Sequence, residues 1–247
     1  MNDPGRSAPL PALALALAAL ALAAPAQAAD DLEDISIGVG LAGQLVGSFL
    51  DRPDDMGIAP GDPIELVYPG FGGAGAGLGA LAEIRYKEVL GFETGLFLSE
   101  DQGSGFVNLV KITIGQTSLH WPLLLKGVYP GRWVQPQLSL GVEIVLPQSL
   151  TVATDPVLPS TATLIGGQAG NYALLIAGFG VEFKLPFDGV DLRVPLQVRG
   201  GFNPGTPEAT RDRGEFVLEG LRVRSAVFIS EWQYHLSATL GLSVYLF

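Results

Sequence analysis

The chain contains only two histidines, and one of them, His235, stands two residues before Ser237. In an extended strand that spacing puts both side chains on one face, where an imidazole can take the proton of a hydroxyl and make it a nucleophile. Such chemistry needs an acid to orient the imidazole. Glu231 is near in the chain, but it shares that face only if the strand stays regular. The other reading of the pair, polar packing inside a protein, asks for nothing more, and the pattern favours it. His120 precedes Trp121-Pro122. One histidine with glutamate neighbours is too small a set for a metal, so His120 is expected to be a hydrogen-bonded interior residue. The stretch from Gly70 to Gly79, GFGGAGAGLG, is rich enough in glycine to suggest a phosphate cradle. No Lys-Ser/Thr pair follows it, and it leads into a strand instead of a helix, so that reading fails. Asp51, Asp54 and Asp55 offer oxygen ligands to a hard divalent cation, against the plainer reading of solvated loop charge. No catalytic, cofactor-binding or metal residue is assigned, and neither an enzyme nor a cofactor is expected.

The elements that carry these residues follow from composition. Residues 1–28 hold a polar start with Arg6, an Ala/Leu run from Leu10 to Ala24, and the small-x-small triplet Ala26-Gln27-Ala28. This reads as a secretory signal peptide cleaved before Ala29. The run is shorter than the roughly 20 apolar residues of a spanning helix, and the acidic Asp30-Asp31-Leu32-Glu33-Asp34 follows it. There is no cysteine, hence neither a lipidated cysteine nor a disulfide. The net charge of −11 survives cleavage, because Asp3 and Arg6 cancel, and it speaks against a nucleic-acid partner. Thirty-three glycines, 18 prolines and only 16% charged residues suit strands joined by turns. Mean hydropathy is positive, yet no second apolar run is long enough for a helix to cross a bilayer. A chain of that kind enters a membrane only as a closed barrel.

Period-2 alternation predicts eight strands, at about 35–49, 75–87, 91–100, 112–128, 133–146, 171–185, 190–201 and 231–247. Three connections are tight: Lys87-Glu88-Val89-Leu90, Tyr129-Pro130-Gly131-Arg132 and Pro186-Phe187-Asp188-Gly189. The other four, Leu50 to Ala74, Asp101 to Lys111, Pro147 to Gly170 and Phe202 to Ser230, are expected to be long loops. Strict alternation of long and short connections is the habit of an outer-membrane barrel and has no reason to arise in a soluble β-sandwich. Aromatic residues flank the tight turns: Tyr86 and Phe92, Tyr129 and Trp133, Phe183 and Phe187, with Tyr245 and Phe247 at the C-terminus. They are expected to form an interfacial girdle.

Parity then separates the two faces. Val134, Leu138, Leu140, Val142 and Ile144 oppose Gln135, Gln137, Ser139 and Glu143; Leu192, Val194, Leu196 and Val198 oppose Asp191, Arg193, Gln197 and Arg199. An eight-stranded barrel is just wide enough to be filled by side chains. Glu83, Arg85, Glu93, Lys126, Glu143, Arg193 and Arg199 are therefore expected to pair as a charged core, leaving no open solute channel. In the last strand Leu236, Leu240, Leu242, Val244 and Leu246 have the opposite parity to Tyr245 and Phe247. Only a bulge lets both sets face lipid.

On these residues the chain resembles the outer-membrane β-barrel domain family of small porin-like proteins. The likeness covers residues 29–247 and lies in Ser118–Lys126 (SLHWPLLLK), Gln135-Pro136-Gln137, Leu140-Gly141-Val142, Gly178–Glu182 and Leu240–Ser243. It implies an all-β, eight-stranded antiparallel up-and-down transmembrane barrel with no catalytic residues. The partners it implies are outer-membrane lipid, lipopolysaccharide and the barrel-assembly machinery, with a monomeric chain. The expected role is structural, or interaction through long extracellular loops. The His-x-Ser pair also looks like that of the outer-membrane lipid A deacylase, a barrel with a His–Ser–Glu triad. Ala238 stands where that family has asparagine, and no glutamate can be assigned. A lipid A-modifying hydrolase and a narrow pore remain the alternatives.

Overall fold

The computed structural model describes residues 35–50, 65–67, 70–107, 110–155, 167–168, 170–187, 190–205, 213–218, 221–226, 228–229 and 231–246. The expected signal peptide, Asp51, Asp54, Asp55 and Phe247 lie outside them. Thirteen strands follow in chain order: β1 (Ile35–Leu50), β2 (Glu65–Val67), β3 (Phe71–Tyr86), β4 (Leu90–Val107), β5 (Val110–Val128), β6 (Val134–Asp155), β7 (Gly167–Gln168), β8 (Tyr172–Phe187), β9 (Val190–Phe202), β10 (Arg213–Leu218), β11 (Leu221–Ala226), β12 (Phe228–Ile229) and β13 (Tyr234–Leu246). Eight of them close into one ring in the order β1-β13-β9-β8-β6-β5-β4-β3. Every neighbouring pair in the ring is antiparallel. The five short strands form two small separate sheets. No helix among the described residues is long and apolar enough to cross a membrane. The closed ring rules out the sandwich.

The tight turns fall where alternation breaks. In the first, the Val89 amide donates to the Tyr86 carbonyl at 3.1 Å, and Lys87 and Glu88 take φ of 48° and 57°. Two left-handed residues in a row match the twist of a hairpin, although without glycine they cost about 1–2 kcal/mol each. Three expected loops are shortened. β4 and β5 do not stop near Asp101 and Lys111 but pair on to Val107 and Val110. β6 likewise runs past Pro147 to Asp155, which pairs with Lys111. Ile112, Ile114, Thr113, Thr151 and Val152 keep a β-branched pattern through this stretch, and the Ser104 and Thr113 hydroxyls meet across β4 and β5 at 3.0 Å. The glycine-rich segment is strand from Phe71 onward.

The two faces have opposite chemistry. Leu41, Leu45, Leu78, Leu98, Leu125, Phe179, Leu240 and Leu246 point outward, with Leu78 74% exposed. A continuous apolar belt of this size is untenable in water and is what a bilayer requires. Tyr86, Phe92, Tyr129, Trp133, Phe183 and Phe187 are all exposed near the tight-turn end. Tyr245 does not join them. β13 keeps a regular register against β1, from Phe49↔Tyr234 to Ile37↔Leu246, with no bulge. The leucine parity therefore wins, and Tyr245 turns inward to 3% exposure. Gly38 makes room for it: a Cβ there would sit 2.6 Å from the Tyr245 ring.

Candidate functional site: the charged interior

Each interior charge is set by strand parity, and the ring brings together residues far apart in the chain. Arg85, with no exposed surface, donates to Glu182 through two bonds of 2.9 and 3.1 Å, to Gln135 at 3.1 Å and to Tyr245 at 2.9 Å. It also lies 2.7 Å from Glu83. Lys126 bridges Glu83 at 2.7 Å and Glu93 at 2.9 Å. Arg193 reaches Glu182 at 3.2 Å and also pairs with Asp191 and Glu88, while Arg199 pairs with Glu93. The Tyr245 ring has two guanidinium groups near it, 5.0 Å from its centroid for Arg85 and 3.9 Å for Arg193. Its hydroxyl donates to Glu83 at 2.9 Å. Mutual pairing with saturated hydrogen bonding is what makes burial of so many charges tolerable. A void of only about 10 Å³, bordered by Glu83, Glu93, Glu182 and Tyr245, holds about one water.

Of the seven charges expected in the core, six form this web. Glu143 does not join a lysine or arginine but meets histidine. Glu182 and Asp191, whose parity puts them on the polar face, join the web, and Glu88 and Tyr245 complete it without having been placed inside. Glu88 is a turn residue that no alternation could place, and its left-handed backbone carries it into the barrel mouth. Burial pushes its carboxyl up. The attraction of Arg193 and hydrogen bonds from Gln135, Lys184 and Arg193 outweigh this and hold it down at about 2. A depressed carboxyl contributes stability that is present above its unfolded value of 4.5 and lost as pH falls towards 2. Glu88→Gln is therefore expected to lower stability at pH 7 by about 2 kcal/mol and to flatten its fall between those values. Denaturant midpoints at pH 7, 4.5 and 2.5 check this, and parallel curves for variant and parent would refute it.

Above the web sits a second layer. His120 lies between two carboxylates, its Nδ1 2.7 Å from Glu143 Oε1 and its Nε2 3.3 Å from Asp101 Oδ2. His235 stacks on it, ring centroids 5.2 Å apart and planes 19° from parallel. Both histidines are thus interior residues, as expected, but their meeting across the barrel was not. Asp101 has the parity of Glu93 and Ser99, a signal that would have placed it inside had β4 been extended. Ser237 is buried beside His235 on the inner face. Among the described residues no hydrogen bond joins the two, and His235 Nε2 has no partner. A bilayer acyl chain approaching β13 meets Leu236 and Leu240, not Ser237.

Apolar side chains fill part of the interior towards the end away from the tight turns. Trp232, Leu50, Phe71, Ile114, Tyr172 and Leu174 are buried there. Gly103 lets Trp232 in, since a Cβ at that position would lie 2.6 Å from its ring.

No family model matches this chain, and no curated relative matches it. Among solved structures it is similar to OprG from Pseudomonas aeruginosa, at 14% identity over 87% of this chain and 97% of that one, with a TM-score of 0.47. It is also similar to Ail of Yersinia pestis, solved with the heparin analogue sucrose octasulfate, at 11% identity over 87% and 100%, with a TM-score of 0.36. Neisserial surface protein A gives 10% identity over 88% and 99%, with a TM-score of 0.32. The class of the protein rests on its own strand pairing and faces. Eight antiparallel strands in one closed up-and-down ring, apolar outside and ion-paired inside, make it a transmembrane β-barrel.

Proposed function

We propose that this chain is exported by its first 28 residues and acts in the outer membrane as a sealed, non-conducting barrel. Its work is structural, or consists in holding its extracellular segments for surface interaction. The packed interior carries this reading. Among the described residues the charge web fills the tight-turn half, the histidine layer the middle and Trp232 with its apolar neighbours the far end, which supports a lumen without a continuous solute path. Lipid and lipopolysaccharide surround the apolar belt, the assembly machinery inserts the barrel, and a single chain suffices because the ring closes on itself. The net charge of −11 speaks against a nucleic-acid partner. The pore and hydrolase readings gain no support from the packed interior and the unjoined His235 and Ser237.

The test is purified barrel in planar bilayers, with folding verified by cold-versus-boiled gel mobility. A mobility shift with silent bilayers at high protein load is expected. Reproducible single-channel steps would overturn the sealed barrel, and a single gel band with protein in the soluble periplasmic fraction would overturn the membrane location.

A further inference from the structure

The histidine layer differs from the rest of the interior in how its charge is balanced. Glu83, Glu88, Glu93, Glu182 and Asp191 each have a lysine or arginine within ion-pair distance. The buried Asp101 and Glu143 meet only imidazoles at that distance among the described residues. Two carboxylates and two histidines buried together need either protons or a cation to be tolerated.

The arrangement favours a cation. Ligand atoms of Asp101, His120 and His235 lie within 4.8 Å of one another. Glu143 stands behind them. Its Oε1 takes the Nδ1 side of His120 at 2.7 Å and is 4.0 Å from Nδ1 of His235. A carboxylate holding the Nδ1–H of an imidazole is the usual support of a metal-bound histidine, because it fixes the ring and leaves Nε2 to bind. Nε2 of His120 already faces Asp101. Nε2 of His235, in a side chain 96% or more buried, has no hydrogen-bond partner. An orphaned buried nitrogen of this kind costs stability unless something occupies it.

We infer that Asp101, His120 and His235 form a binding site for a divalent transition metal of the zinc type inside the barrel, with Glu143 as the positioning residue. Two imidazoles and one carboxylate suit a borderline ion at about 2.0–2.2 Å, with water completing a tetrahedron. The ion's two charges offset Asp101 and Glu143 while the histidines stay neutral. The histidine that seemed alone in the sequence acquires its partner only when β13 closes the ring.

The experiment uses full-length mature protein without an affinity tag, stripped of metal in denaturant with chelator and refolded in detergent with Co²⁺. Folding is verified by gel mobility. The expected result is one equivalent of Co²⁺ that survives desalting, with the intense visible bands of tetrahedral cobalt, lost on adding Zn²⁺. His235→Asn is expected to abolish those bands. Glu143→Gln, the gentler variant, is expected to keep them but weaken Co²⁺ binding about 10–100-fold. Folded parent that takes up no cobalt would mean that protons balance the layer, and the proposal would fall. Only faint octahedral bands, unchanged in His235→Asn, would assign the metal to loop carboxylates and equally overturn it.

Discussion

Arg85→Met is expected to lower the unfolding free energy by about 3–5 kcal/mol, the loss typical when one member of a buried ion pair is removed. The size follows from what is left behind. Glu182 keeps only Arg193, Glu83 keeps only Lys126 and the Tyr245 hydroxyl, and Tyr245 loses one of its two nearby cations. The void beside Glu83 and Glu182 has room for about one water, too little to solvate both stranded carboxylates. The partner substitution separates pairing from packing. Methionine at both Arg85 and Glu182 removes the charges together, so the double variant should be more stable than the sum of single losses by about 1–3 kcal/mol. Arg193 still has Glu88 and Asp191 in that variant. Denaturant midpoints of the refolded barrel measure all four corners. Strict additivity, or an Arg85→Met midpoint equal to that of the parent, would show that the web does not hold the interior together.

Leu240→Arg is expected to cost about 2–4 kcal/mol in lipid vesicles, the depth-dependent penalty for a cation at the middle of a barrel's lipid face. Leu240 is 58% exposed halfway along β13, beside Gly43 on β1 and Leu196 on β9. Its neighbours above and below on the same face are Leu236, Leu242 and Leu246, so the guanidinium has no polar surface nearby. The same change on a water-exposed face would be close to neutral, which makes it a sharp probe of the belt. Moving the arginine to Tyr86 or Trp133, at the aromatic rim, should reduce the cost to near zero. Equal, negligible effects at both depths would refute the lipid-facing assignment.

What could be read ahead of the structure was whatever alternation carries. In and out along Val134–Ile144 and Leu192–Val198 depends on neighbours two residues away, so parity places Gln135, Arg193 and Arg199 correctly without any knowledge of the ring. The upper halves of β4, β5 and β6 were hidden because Asp101, Gly103, Gly105, Pro147 and Asp155 look like loop residues. Their strand character comes from pairing with one another. Tyr245 was misplaced because an aromatic near the end of a strand suggests a membrane interface, whereas the Arg85 and Arg193 guanidiniums that meet its ring come from strands elsewhere in the barrel. The meeting of His120 and His235 is a chord across the lumen. Nothing local could have announced it.

The seam where β1 meets β13 sets the order of events in time. Ile37 pairs with Leu246, and the Tyr245 hydroxyl bonds to a carboxylate 162 residues away. Contacts of such span repay their entropy only after everything between them is in place. Until β13 arrives, the sheet is an open trough with two unpaired edges, its glutamates and guanidiniums still wet. Docking of the last strand seats Tyr245, dries the trough and removes both edges together. A chain halted one strand early is thus not a weaker version of the finished barrel. It is a differently shaped object, with two unpaired edges and a polar trough open to water.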